Sequence, residues 1–185
     1  MGNRLRQLID FANKPVAAGV PAHAPTHASG GGDVLTPSDI GAAPAFRGCR
    51  IYNESGGSQS IAAATNTKVA FNTTAFDTNG FYDSTTDKIV IPAGVSYVEL
   101  TAEVNWTGTY TAANSRRLAA ITKNGGNVAL SACSASNGNT YLNVSTGPIS
   151  VSAGDYFELF VLENDTAAKT ITQDTITFLS MKVLA

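Results

Sequence analysis

From Val95 to Trp106 the chain reads VSYVELTAEVNW. Val98, Leu100, Ala102, Val104 and Trp106 fall on one parity, and Glu99, Thr101, Glu103 and Asn105 on the other. Alternate residues of an extended chain point to opposite faces, so this stretch predicts a long strand with one face buried and the other wet. Shorter runs with strand character surround it: KVAFNT, DKIVIP, RRLAAITKNG, NVALSACSA, TYLNVSTGPISV, DYFELFVLEN, KTITQ and TITFLSMKVL. Turn signals fall between them, namely DTNG, PAG, KNGG, SNGN, SAGD and END. Some eight short strands at this spacing, with no helical pattern between them, predict an all-β sandwich or jelly roll beginning near Arg47. In the last strand Ile176 and Phe178 share one parity and Leu179, Met181 and Val183 the other. A strand apolar on both faces is expected to be covered on both, which points to an oligomer.

Composition agrees with an all-β reading. Hydrophobic residues make up 43% of the 185-residue chain and charged residues only 14%, below the usual quarter. The faces of such strands are solvated by hydroxyls and amides in place of Lys and Glu. The formal net charge is −2, with five basic and three acidic residues in 1–50 and, by difference from the totals of 12 and 14, seven and eleven in 51–185. No clustered basic face is expected, which argues against a nucleic-acid partner. No apolar run approaches the roughly eighteen residues a membrane span needs. Cys49 and Cys133 are too few for a disulfide framework and too far apart for a zinc knuckle, and they read as free thiols. The opening MGNRLRQLIDFANKP has no signal-peptide character, so the sequons at Asn53, Asn72, Asn105, Asn143 and Asn164 are expected to be accidents of an Asn- and Thr-rich chain made in a cytoplasm.

Two further zones precede the β region, giving an organisation of 1–14, 15–46 and 47–185. In the first, Leu5, Leu8, Ile9 and Ala12 follow helical spacing, Asn3 can cap the start and Pro15 stops the run. A helix this short is marginal alone and needs a surface to lie on, a frayed tail being the competing reading. The second zone is an irregular connector rich in Pro, Gly and Ala, carrying His23, His27 and the run Gly30, Gly31, Gly32. The glycines suit either close approach of several backbones or simple linker flexibility.

The β region resembles the trimeric jelly roll shared by the globular head of the complement q subunit and tumour necrosis factor. The resemblance covers about residues 65–185 and is carried by Phe71, GFYD (Gly80 to Asp83), KIVIPAGVSYVEL, ITKNGG, VSAGDYFEL and TFLSMKVL. It implies three protomers around a three-fold axis, with Tyr97, Phe178, Leu179 and Met181 in the interface. The connector HAPTHASGGGDVLTPSDIGA is similar to a short segment of bacteriophage tail-fibre and spike proteins: His-x-x-x-His, a Gly-rich patch with Asp, then Pro and Ile-Gly. The two resemblances together imply a homotrimeric virion fibre or spike. Its N-terminal helix would dock on a capsid, neck or tail protein, His23, His27 and Gly30–Gly32 would form the trimer joint, and the head would bind a host-surface glycan.

No catalytic constellation is evident. Both histidines lie in the connector, the acidic residues sit at turns or on one polar strand face, and SGGGD lacks the Lys of a phosphate loop. An enzyme is not expected, nor is a cofactor, with one exception left open. Two imidazoles per chain become six in a trimer, enough for a transition-metal ion on the axis through His23 and His27. Inter-chain hydrogen bonding of the same histidines is the competing reading. Ligand contacts are expected at the head's tip, where NWTGTYTAANSRR offers Tyr110, Arg116 and Arg117, while Trp106 follows the inward parity of its strand. A capsid-decorating protein without a receptor and a soluble complement-q-like ligand are the alternatives.

Overall fold

In a computed structural model, residues 45–54, 56–109, 115–134 and 138–185 are described. The expected helix (Leu5, Leu8, Ile9, Ala12), the connector residues His23, His27 and Gly30–Gly32, and Tyr110 lie outside the described residues. The described part is all β, a sandwich of two antiparallel sheets.

The VSYVELTAEVNW stretch forms β7 (Tyr97–Thr107), the strand around which the first sheet is organised. One of its edges pairs with β10 (Thr140–Ser150) from Tyr97 to Trp106. The other pairs with β13 (Phe178–Val183) at Val98 to Glu103 and then with β12 (Lys169–Thr172) at Trp106 and Thr107. Beyond them lie β2 (Ser58–Ile61) against β12, β1 (Gly48–Tyr52) against β13, and β4 (Thr73–Asp77) against β1. The second sheet runs β5 (Tyr82–Asp83), β6 (Lys88–Val90), β11 (Tyr156–Glu163), β8 (Arg116–Lys123) and β9 (Gly126–Ser134). The two-residue β3 (Thr67–Lys68) also pairs with β11.

The inward parity of β7 is fully buried: Val98, Leu100, Ala102, Val104 and Trp106 are all 0% exposed. They meet Ala119 and Ile121 of β8 and Phe157, Leu159 and Val161 of β11 in one core. Leu179 and Met181 join this core at 0% and 1% exposure, which corrects their expected place in a trimer interface. The pleat of β13 turns them inward and leaves Phe178 on the outer face. Ile176 precedes the strand, so it does not share a strand face with Phe178.

Several short strands were not legible as strands. KVAFNT pairs at its ends, through Lys68 in β3 and Thr73 in β4, while Val69 and Phe71 between them are buried from irregular backbone. Loops there are fastened by side chains instead. Asp77 accepts the backbone N–H groups of Asn79, Phe81 and Tyr82 at 3.3, 2.9 and 2.9 Å, holding the DTNG turn. The KNGG turn joins β8 to β9 with Asn124 and Gly125 both at positive φ (52° and 82°), the geometry of a tight hairpin that Asn-Gly suits. Its neighbour Asp155 accepts from Lys123, Asn124 and the Ser152 N–H at 2.8, 2.7 and 2.8 Å, tying two turns together.

Gly48 is required for space, since a Cβ there would collide with the Met181 carbonyl oxygen across the β1–β13 ladder. Gly48→Ala is therefore expected to lower stability by about 1–3 kcal/mol, the range for forcing atoms into a packed site. Urea unfolding of the head checks this, with a shift in midpoint at unchanged slope.

Candidate functional site

Two surfaces of the head carry chemistry that the fold alone does not need. The first is the outer face of the β7 sheet. Tyr97 on β7 and Tyr141 on β10 are 50% and 52% exposed, and Phe46 and Phe76 are 55% and 37% exposed. Phe46 and Phe76 meet edge to face at 5.4 Å between ring centroids. Tyr52 and Phe178 sit opposite each other on β1 and β13, both half-buried. The Arg50 guanidinium lies 3.8 Å from the Phe178 ring centroid and donates to the Thr175 carbonyl at 3.0 Å, a cation–π contact that shields the ring from water. Glu99 and Glu103 share this face and are partly exposed. Of the residues expected in a trimer interface, Tyr97 and Phe178 are on this face; Leu179 and Met181 are not.

The second surface is the end of the sandwich where Gly108 after β7, Gly138 before β10 and Asn164 after β11 come together around the start of β8. Its framework is a set of buried charges. Arg117, expected to contact ligand, is 0% exposed and faces inward with Ala119 and Ile121. Its guanidinium donates to the carbonyl oxygens of Gly108 at 3.0 Å and Gly138 at 3.2 Å. This corrects the expected role: Arg117 ties two links together from inside and is closed to a ligand by burial. Arg116 is exposed, and its backbone N–H is held by the Asn164 side chain.

Glu163, opposite Arg117 in the β8–β11 ladder, is also 0% exposed. One of its carboxylate oxygens accepts the Asp165 N–H at 2.6 Å, while Oε1 has no hydrogen-bond partner. Asp165 is 3% exposed and pairs with Lys169, 8% exposed, at 2.7 Å. These residues were missed in the sequence, although a signal exists. Glu163 continues the inward parity Phe157, Leu159, Val161, and Lys169 shares its parity with Ile171. A charge on an apolar parity marks a buried polar group that must be paired.

Elsewhere the titratable groups serve structure. Burial, reinforced by Asp77, pushes the Cys49 thiol far up, so it is an inert core residue, while Cys133 is a half-buried free thiol. Burial and then Asp87 raise the Tyr82 phenol, which donates to the Phe71 carbonyl at 2.8 Å. The Thr86 hydroxyl and the Thr85 N–H lower Asp83. Among the described residues no group of three or more His, Cys, Asp or Glu could hold a metal ion, and no helix is long and apolar enough to cross a membrane.

No protein-family model matches the chain, and no curated protein matches it by sequence. Solved structures do match. An Eiger TNF from S. frugiperda aligns at 9% identity and TM-score 0.55, covering 77% of this chain and 94% of that one. Murine APRIL at pH 5.0 aligns at 11% identity and TM-score 0.57, covering 76% and 100%. The globular domain of zebrafish complement 1qA protein aligns at 10% identity and TM-score 0.52, covering 75% and 98%. The chain has the tumour-necrosis-factor and complement-q jelly-roll fold. At these identities the likeness is one of fold.

Two measurements test the site's framework. Arg117→Ala removes a fully buried side chain together with its hydrogen bonds to the Gly108 and Gly138 carbonyls and is expected to lower stability by about 1–3 kcal/mol, whereas Arg116→Ala stays within about 0.5 kcal/mol. Calorimetry on both variants checks the contrast. Hydrogen bonds from Lys123, then Asn124 and Ser152, bring Asp155 down from 3.8 to about 2. A lowered carboxyl stabilises the fold above its unfolded value and loses that stabilisation as pH falls through the folded one. Asp155→Asn is thus expected to be less stable than wild type at pH 6, the difference closing as pH falls from about 4 toward 2. Unfolding midpoints across pH check it.

Proposed function

We propose that this chain is a homotrimeric fibre or spike protein of a bacteriophage particle, with a jelly-roll head that binds a host-surface glycan without catalysis. The observation that carries the trimer is the aromatic outer face of the β7 sheet. A solvated antiparallel sheet normally shows polar side chains to water, yet Tyr97, Tyr141, Phe46 and Phe76 are each more than a third exposed on this head. Burial of such a face against neighbouring copies is the ordinary resolution. The head fold agrees with this assembly, which the resemblance to the complement-q and tumour-necrosis-factor group implies.

The phage setting rests on the connector, whose His-x-x-x-His, Gly-rich patch with Asp and Ile-Gly resemble fibre and spike segments. In this reading Leu5, Leu8, Ile9 and Ala12 dock on a capsid, neck or tail protein, and residues 15–46 align the chains. A transition-metal ion on the axis would be held by His23 and His27 of three chains. The protein is made in the host bacterial cytoplasm and ends in the virion. Glycan binding falls to the loop end of the head, with three heads multiplying a weak single-site affinity.

The mass of the purified protein in solution tests the assembly. A trimer is expected for wild type, and monomers for Tyr97→Glu combined with Phe178→Glu at unchanged circular dichroism; a monomeric wild type sinks the reading. For adhesion, fluorescent trimer is expected to label host cells, to be displaced by free sugar and to lose labelling when monomeric. Binding to virus particles but not to host cells would identify a decoration protein instead.

A further inference from the structure

We propose that Lys169 and Asp165 form an intramolecular isopeptide bond, with Glu163 moving the proton. The pair differs from the other ion pairs of the head in its surroundings. The lysines of Lys68–Glu158 and Lys123–Asp155 keep 32% and 25% of their side chains in water. The Lys169 and Asp165 side chains are 7% and 0% exposed. Lys169 is the first residue of β12 and faces inward beside Ile171, opposite Ile61 in the β2–β12 ladder. Its stem passes close to Gly108, where a Cβ would lie 3.8 Å from the lysine Cδ. Asp165 sits in the link that carries the chain from β11 in one sheet to β12 in the other.

Two conditions for amide formation meet here. The amine nitrogen and a carboxylate oxygen are 2.7 Å apart on backbone held by ladders at both ends, so the encounter is already made. A second buried carboxylate, Glu163, is fastened to the Asp165 backbone N–H through one oxygen and keeps Oε1 without a partner. An uncommitted buried carboxylate oxygen is expensive for the fold, and proton transfer gives it a use.

The step balances without a further reagent. A proton passes from Lys169 Nζ to the Asp165 carboxylate oxygen 2.7 Å away, and the nitrogen lone pair attacks Cγ of Asp165 to give a tetrahedral carbon. A second Nζ proton passes by way of Glu163 to that same oxygen. That C–O bond breaks, and water leaves with both protons. One ammonium and one carboxylate become one amide and one water, with no change in net charge or oxidation state. Glu163 ends as it began. The bond would lock the sheet-to-sheet link at the end of the sandwich that Arg117 ties from the other side.

Intact-mass spectrometry of the purified full chain tests this. The expected mass is that of the sequence less one water. Trypsin is expected to skip Lys169 and to release residues 124–182 as one peptide, also lighter by one water. Lys169→Arg keeps the ion pair but has no nucleophilic amine, so this folded variant is expected at its full sequence mass. Glu163→Gln is expected to convert slowly or not at all. A folded wild type at full mass that is cut at Lys169 overturns the proposal, as does a water loss that persists in Lys169→Arg. Complete water loss in Glu163→Gln overturns the role given to Glu163.

Discussion

The two-sided pairing of β7 is the constraint from which the head follows. Its eleven residues are bonded to β10 along one edge and to β13 and β12 along the other. A strand held on both edges cannot slip by one residue without turning Val98, Leu100, Ala102, Val104 and Trp106 out to water. At roughly 1.5–3 kcal/mol for burying each large apolar side chain, that slip is prohibitive. The parity of β7 therefore sets the inward faces of β10 and β13 and, through β13, of β1. The same register decides that Phe178 looks outward while Leu179 and Met181 look inward.

Once one face is assigned to the core, the opposite face becomes informative. On the β7 sheet it carries tyrosines and phenylalanines among Thr, Ser and Glu, with Arg50 laid over Phe178. A cation over a ring lowers the penalty of exposing it, but Tyr97 and Tyr141 have no such cover. This imbalance, an apolar surface with no core left to join, is what makes self-association the natural reading of the head.

At the loop end the balance is different. Burying Arg117, Glu163, Asp165 and Lys169 is costly, and a packed apolar cluster would stabilise the same volume at least as well. The charges sit where links cross between sheets and where backbone carbonyls such as those of Gly108 and Gly138 have no ladder partner. An arginine with its fan of donors satisfies several of these at once, which no aliphatic side chain could do. The surplus is the free Oε1 of Glu163 beside the Asp165–Lys169 pair.

What the sequence alone determined is the all-β class, the long half-buried strand, the Asn-Gly hairpin and the core place of Trp106, because period-2 parity and turn chemistry are local properties. Through the resemblance it grouped Tyr97, Phe178, Leu179 and Met181 together as interface residues, without separating outward from inward side chains. Only the tertiary structure decided that Leu179 and Met181 belong to the core, since β13 could present either face until its register with β7 was set. Burial of Arg117 was likewise undecided, because the carbonyls it binds lie 9 and 21 residues away. Strands of two to four residues, such as β3 and β5, have too few alternations to be read. They exist because β11 and β6 supply the ladder, a partner that no local window contains.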